Sequence, residues 1–266
     1  WSSRYYPGPL TTSLSASSSV WNTCYSQISY INKFLSIFEL VKFSVDVRNT
    51  PEVNNNRDIL HKRRYKGEAY ALRAWYKMRL LQWYSGKSAD GTLLGFPLLD
   101  SNITPKDNWQ LPRNTFAECV NSIISDLDIA IANLPPVYED KPGEGDWNAT
   151  MGVQYENRVT GNAAKVLKSR LLTLAASPAF SDSNAATWAQ AAEASAPLLG
   201  ELGSLLAAGK TFYNAIRSKE IIWNRSQQSI RSWEQANFPP SLFGAGNTNP
   251  SQNLVDAFPM RNGYPI

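Results

Sequence analysis

Apolar residues recur along much of the chain at alternating three- and four-residue spacing, the period of an amphipathic helix. Trp21, Tyr25, Ile28, Asn32, Leu35 and Phe38 share one such face. Tyr65, Ala69, Leu72, Tyr76, Leu80 and Trp83 form a second, and Phe116, Val120, Ile123, Leu127, Ile131 and Leu134 a third. The third helix opens with Thr115-Phe116-Ala117-Glu118, a capping box in which the Thr oxygen and the Glu carboxylate satisfy free N–H groups. It must stop near Asn133, because Pro135 and Pro136 cannot continue it. A fourth helix is predicted from Thr160 through Ala163, Leu167, Leu171 and Leu174 to the break at Pro178. A fifth, rich in Ala, is predicted from Ala185 to Leu199 and is ended by Gly200.

Long segments rich in Gly, Pro, Asn and Asp separate these helices: Ser85 to Asn114, Pro135 to Val159, and everything after Gln235. Alternating strand patterns are nearly absent, Leu93 to Leu98 being the best candidate. The pattern therefore predicts an all-α fold of antiparallel helix pairs, with functional content carried by the loops. Gly67/Ala69 and Gly161/Ala163 place small residues at two helix starts, as stacked helix pairs of the tetratricopeptide type require. Their separation is not a multiple of the roughly 34-residue tetratricopeptide period, so a regular array is not supported. A single domain is expected over 1–266, helical over about 21–200 and loop-rich over about 201–266.

Composition narrows the function classes. Hydrophobic residues at 43% and charged residues at 18% suit a buried core and exclude a wholly disordered chain. A net charge of only +4 does not point to nucleic acid or to a membrane surface, and no apolar run is long enough to span a bilayer. The chain begins at Trp1 without Met and ends on a turn-rich stretch, so an internal segment of a longer protein is expected, with any targeting or lipid-attachment signal upstream. Cys24 and Cys119 are too far apart for a zinc knuckle or a CxxC site, and two buried free thiols are expected. The aromatic content is high, with 9 Trp, 12 Tyr and 10 Phe. Most of these rings are expected to fill gaps between helices, and the excess points to ligand stacking.

Catalytic chemistry has little to work with. The one histidine, His61, stands in the basic run His61-Lys62-Arg63-Arg64, read as a solvated helix face with no carboxylate partner. Glu139, Asp140, Glu144 and Asp146 cluster in a Pro/Gly-rich segment, read as a mobile acidic turn instead of a glycosidase pair. No Walker, dinucleotide, zinc or EF-hand spacing is present, although loop Asp and Asn side chains leave calcium open. No cofactor and no catalytic residue is predicted. Arg64 and Glu68 are spaced to pair along one helix, and Asn32, polar within an apolar stripe, should satisfy a buried loop backbone group.

The ordered motifs carry a resemblance. Trp21-x3-Tyr25-x2-Ile28-x3-Asn32 is followed by Gly67-Glu68-Ala69-x-Ala71-Leu72-Arg73-Ala74-x-Tyr76, then Gly95-Phe96-Pro97-Leu98. Next come Arg113 with the capping box, Asp126-Leu127-x2-Ala130-x3-Leu134-Pro135, and Arg158-x-Thr160-x2-Ala163-Ala164. Glu220-Ile221-Ile222-Trp223 and Asn249-Pro250-Ser251-Gln252-Asn253-Leu254-Val255-Asp256-Ala257-Phe258 complete the set. In this order they resemble the SusD/RagB family of surface nutrient-binding lipoproteins of Bacteroidetes. The resemblance implies an all-α core of tetratricopeptide-like helix pairs on the outer face of the outer membrane. It further implies non-catalytic binding of a glycan, oligo- or polysaccharide, and its delivery to a SusC-like TonB-dependent transporter. The lipid-attachment cysteine and the segment downstream of Val255-Asp256 are missing here, so a lipid anchor is expected of the parent protein only.

Sugar recognition requires flat aromatic faces with amides or charged groups at the hydroxyl edges, carried on loops. Two segments qualify, and the resemblance places ligand aromatics in the same regions. The first holds Arg4, Tyr5 and Tyr6, and the second runs from Trp233 through Phe238 and Phe243 to Asn247. The candidate ligand-binding residues are therefore Arg4, Tyr5, Tyr6, Trp233, Phe243 and Asn247, with Trp109 and Trp147 in second rank. The competing expectation is a helical-repeat interaction scaffold, or a peptide-binding surface protein, without affinity for glycans.

Overall fold

A computed structural model describes residues 16–102, 106–107, 110–201, 222–223, 235 and 237–246. The described residues form six α-helices: α1 Ala16–Ile37, α2 Pro51–Tyr84, α3 Phe116–Asn133, α4 Gly145–Met151, α5 Gly161–Ala176 and α6 Trp188–Glu201. The two described strands are short, β1 Gly86–Lys87 and β2 Leu93–Leu94, paired antiparallel. The architecture is all-α, as the periodicity predicts. The chain divides into two compact units, Trp1–Asn224 and Arg225–Ile266, and all six helices lie in the first.

Within that unit α1 packs on α2, α2 on α3, α3 on α5 and α5 on α6. The pairs are antiparallel. Trp21 N–H donates to the Tyr84 hydroxyl (3.0 Å) and Arg73 to Asn32 (2.8 Å), so α1 rises as α2 descends. Lys77 meets Ser122 (2.8 Å) while Gly67 abuts Leu134, giving α2 and α3 the same relation. The core between them is built from Ile28, Leu80, Leu81, Phe116, Val120, Ile123, Leu127 and Leu171, among others. Thr115 and Glu118 form the capping box of α3, Thr160 caps α5 through Ala163 N–H (3.0 Å), and Thr187 with Gln190 closes a similar box at α6. That last cap places the start of α6 three residues after the Ala185 predicted from composition.

Helix α2 differs most from expectation. It begins at Pro51, with Thr50 as its cap, and so extends well ahead of the Tyr65 stripe. The first six residues, Pro-Glu-Val-Asn-Asn-Asn, have little apolar pattern and include a proline and three asparagines of weak helical propensity. Tertiary contacts hold them: Asn54 donates to the Asp46 carbonyl (2.9 Å), Arg57 pairs with Asp146 (2.8 Å) and Asp58 accepts Phe43 N–H (2.6 Å). The predicted stripe is also only part of what α2 buries. Trp83 is exposed, whereas Arg64, Glu68, Arg73 and Lys77 are buried. Because α1, α3 and α4 all pack on α2, more than one of its faces is covered.

The buried charges form a connected set. Arg73 donates to both oxygens of Asp126, from Nε at 2.9 Å and Nη2 at 2.5 Å, and its third bond reaches Asn32. Lys77 lies 3.0 Å from Asp126 and also donates to Asp100 (2.7 Å). Asn32 in turn donates to the Leu99 carbonyl at 2.9 Å, the loop-backbone role expected of it. One carboxylate thereby ties α1, α2, α3 and the loop after β2 together. Removing one partner of a buried ion pair strands the others without solvent. Asp126→Asn should lower the unfolding free energy by about 3–5 kcal/mol, seen as a fall in the urea midpoint with little change in slope. A loss below about 1 kcal/mol would show that the cluster contributes no more than a surface pair.

Candidate functional site

Of the predicted ligand-binding residues, the described part of the chain contains Phe243. Arg4, Tyr5, Tyr6, Trp233 and Asn247, and the second-rank Trp109, lie outside the described residues. Phe243 follows a 3-10 turn, Pro240–Leu242, introduced by extended Pro239. The loop closes on itself: Phe243 N–H donates to the Pro240 carbonyl (3.0 Å), Gly244 N–H to Pro239 (3.2 Å) and Gly246 N–H to Phe238 (2.9 Å). Gly244 lies so close to the Phe238 backbone that a Cβ there would overlap it.

At the tip Phe243 sits in the left-handed region, φ 60° and ψ 24°, and is 96% exposed. That backbone region costs a residue with a side chain about 1–2 kcal/mol. The burial of a ring does not offset this cost, because the ring touches almost nothing. Phe238 and Leu242, also exposed, extend the apolar surface of the same loop. The sequence marks the loop through its Pro, Gly and Phe content, but not the conformation of Phe243.

Trp147 is held differently. Its indole N–H donates to the Glu139 carbonyl (3.2 Å) and the Lys141 ammonium lies 3.7 Å from the ring centre, so this half-buried ring pins its own loop. The acidic segment around it is not a mobile turn. It contains α4, in which Asp146 pairs with Arg57 across to α2 and Asn148 exchanges hydrogen bonds with the Lys141 backbone (2.7 and 2.9 Å). Asp140 accepts Val153 N–H at 3.0 Å. Each of these groups has a structural partner that long-range packing supplies and spacing could not reveal.

A family model described as "SusD-like_3: Starch-binding associating with outer membrane" matches residues 11–144. The chain belongs to this SusD-like family. No curated protein resembles it closely enough to count as a match. Among solved structures, a SusD-like carbohydrate binding protein from Bacteroides fragilis aligns with a TM-score of 0.65 at 19% identity, covering 97% of this chain and 43% of that one. A second SusD-like protein from the same species gives 0.63 at 24% identity, covering 93% and 42%. A SusD-like carbohydrate binding protein from Bacteroides vulgatus gives 0.53 at 19%, covering 79% and 37%. The fold is thus shared, and the chain spans about two fifths of the length of these structures.

Several of the described motif residues of this SusD-like chain belong to its internal polar networks. Besides the Asp126 cluster, Glu68 receives Arg158 (2.9 Å), lies 3.5 Å from Arg64 and accepts the Tyr138 hydroxyl (3.2 Å). Arg64 is 1% exposed, donates to the Thr150 carbonyl and has its guanidinium 3.7 Å from the Tyr155 ring centre. The basic run is therefore not a uniformly solvated face. His61 is half-buried, stacks on Tyr65 at 5.6 Å and has its Nδ1 enclosed without a hydrogen-bond partner. Burial, with Arg64 nearby, holds its pKa below the usual imidazole range. Arg113 donates to the carbonyls of Gly95 (2.7 Å) and Tyr84, and Tyr25 donates to that of Pro97 (2.7 Å), which straps the Gly95-Phe96-Pro97-Leu98 segment across the helices.

Among the described residues no group of His, Cys, Asp and Glu is placed to hold a metal ion, and no helix is long and apolar enough to cross a membrane. Both cysteines are free and buried. Burial pushes the Cys119 thiol up to about 11 and raises that of Cys24. Because the thiolate is the reacting form, neither should react with Ellman's reagent at pH 8 in the folded chain, and both should react once urea unfolds it. Prompt reaction of the folded chain would contradict the packing around α3.

Proposed function

We propose that this chain is the glycan-binding part of a non-catalytic cell-surface protein, which holds an oligo- or polysaccharide and hands it to a TonB-dependent outer-membrane transporter. The observation that carries this reading is Phe243, an aromatic ring 96% exposed on a self-closed loop and held in a backbone conformation that costs energy. Strain at an exposed ring motivates a presenting role, and a planar apolar face is what a pyranose C–H surface stacks upon. The family's description as starch-binding and outer-membrane-associated supports the reading, as do the relatives described as carbohydrate binding. Arg4, Tyr5, Tyr6, Trp233 and Asn247 remain further proposed ligand-binding residues, and both units are read as parts of one SusD-like domain. A lipid anchor on the parent protein would hold it at the surface.

The alternative, a protein-interaction scaffold, is favoured by a specific surface. Leu40, Val45 and Val47 in the α1–α2 connection are exposed, Val47 at 97%, and exposed apolar clusters suit protein contacts. The two readings are compatible if the partner is the transporter.

Retardation of the full-length protein in gels containing a panel of polysaccharides tests the glycan reading. Phe243→Gly relieves the left-handed strain while deleting the ring, so it should leave the melting temperature unchanged or raised and weaken retention roughly two- to tenfold. Tyr6→Ala and Trp233→Ala should weaken retention similarly. Unchanged retention in all three would overturn the site, and release of reducing sugar from any retained polysaccharide would overturn the non-catalytic assignment.

A further inference from the structure

The first unit carries a depression that the sequence does not announce. It is a shallow groove of about 660 Å³ along α2 and α3, lined by nine residues of which six bear hydrogen-bonding side chains. From α2 come Lys66 and Tyr70, one turn apart. From α3 come Asn121, Ser125 and Asp128, on the face opposite the buried stripe of Val120, Ile123 and Leu127. Ile124 and Ile129, both half-buried, supply apolar wall between the polar groups.

Several of these positions are held firmly. The Arg73 guanidinium lies 4.8 Å from the Tyr70 ring centre, and Arg73 is itself locked onto Asp126. Asp128 is held by Lys168 of α5 at 2.6 Å, which neutralises it. At one end Gly67 lies against Leu134 and Asn133 with no room for a Cβ, which fixes how closely α2 and α3 approach. By contrast, Lys66, the Tyr70 hydroxyl, Asn121 and Ser125 have no hydrogen-bond or ion-pair partner among the described residues. The groove thus offers one fixed aromatic ring, a hydroxyl, an amide and a single unpaired cation.

We propose that this groove is a second saccharide-binding site, in which Tyr70 provides the stacking face and Lys66, Asn121 and Ser125 bond the sugar hydroxyls. Its volume falls in the ligand-pocket range of about 300–1,000 Å³, and its polar lining suits a polyol better than an apolar ligand. A peptide seated between helices needs apolar anchor pockets or a paired charge clamp. Here the apolar side chains are half-buried wall and one of the two charges is already neutralised. The site uses none of the residues of the Phe243 loop, so the two assignments stand or fall separately. Two weak contacts on one polymer would raise overall retention through effective concentration.

The test is an amide chemical-shift titration of the whole chain with hexasaccharides of α-1,4-linked glucose, β-1,4-linked xylose and β-1,4-linked mannose, and with an acidic hexapeptide. At least one sugar should shift the amides of residues 121–128 saturably, both in the unmodified chain and in Phe243→Ala. Asn121→Ala and the groove-filling Ser125→Trp, both at exposed positions that leave the core intact, should weaken that binding at least about fivefold with melting temperature retained. Tyr70→Ala should abolish it. Shifts confined to residues 237–246 would overturn the groove site and keep the loop site, and groove shifts with a silent loop would do the reverse. Groove shifts with the peptide alone, or an unchanged affinity in Ser125→Trp, would also overturn the proposal. No sugar-induced shift anywhere would overturn both.

Discussion

Asp126 is a carboxylate buried between two cations, and the arrangement of the first unit depends on it. Arg73 grips both of its oxygens and Lys77 reaches one of them, while the spare donors of these two cations continue to Asn32, Asp100 and Ser122. Desolvating such charges is expensive, and the expense is offset only when every donor finds an acceptor. Helices α1 to α3 and the strap after β2 must therefore sit in one relative position for the cluster to be satisfied. Apolar packing among Ile28, Leu80, Ile123 and Leu127 is less directional than this hydrogen-bonded cluster.

The same logic recurs around Glu68, which joins Arg64, Arg158 and Tyr138 and so couples α2 to the segment between α3 and α5. Burial, with the Glu68 carboxylate beside it, pushes the Tyr138 hydroxyl far above the usual phenolic range, so it stays a donor at any pH the protein meets. Two interior networks thus brace the helical stack of the first unit. Phe243 and the α2–α3 groove illustrate two ways of presenting a ring. One holds an exposed side chain at the tip of a strained loop, and the other fixes a half-buried tyrosine against a locked guanidinium.

Periodicity located α1, α3 and α5, and Ala content located α6, although α6 runs through the Gly200 predicted to end it and reaches Glu201. Thr115 with Glu118 and Pro135 with Pro136 bracket α3 almost to the residue. The same reasoning failed on the first turns of α2, where three consecutive asparagines offer no apolar stripe and the helix is held by Arg57, Asn54 and Asp58 reaching other segments. It failed again on the acidic segment, where Pro, Gly and four carboxylates suggest solvent exposure but long-range pairing orders α4. Composition reports what a segment prefers alone, and these segments are stabilised by partners far away in sequence.

What the sequence determined by itself was the all-α architecture, the helix ends set by local caps and prolines, and, through the order of its motifs, the kinship with SusD-like proteins. Those features rest on interactions between residues a few positions apart, or on patterns that survive without coordinates. Only the tertiary structure decided that Arg64, Arg73 and Lys77 lie inside, that Asp146 of α4 is a structural ion-pair partner, and that Tyr70 and Asn121 line one groove. Each of those depends on which helix faces which, and a charge is buried or free according to partners that local sequence does not name.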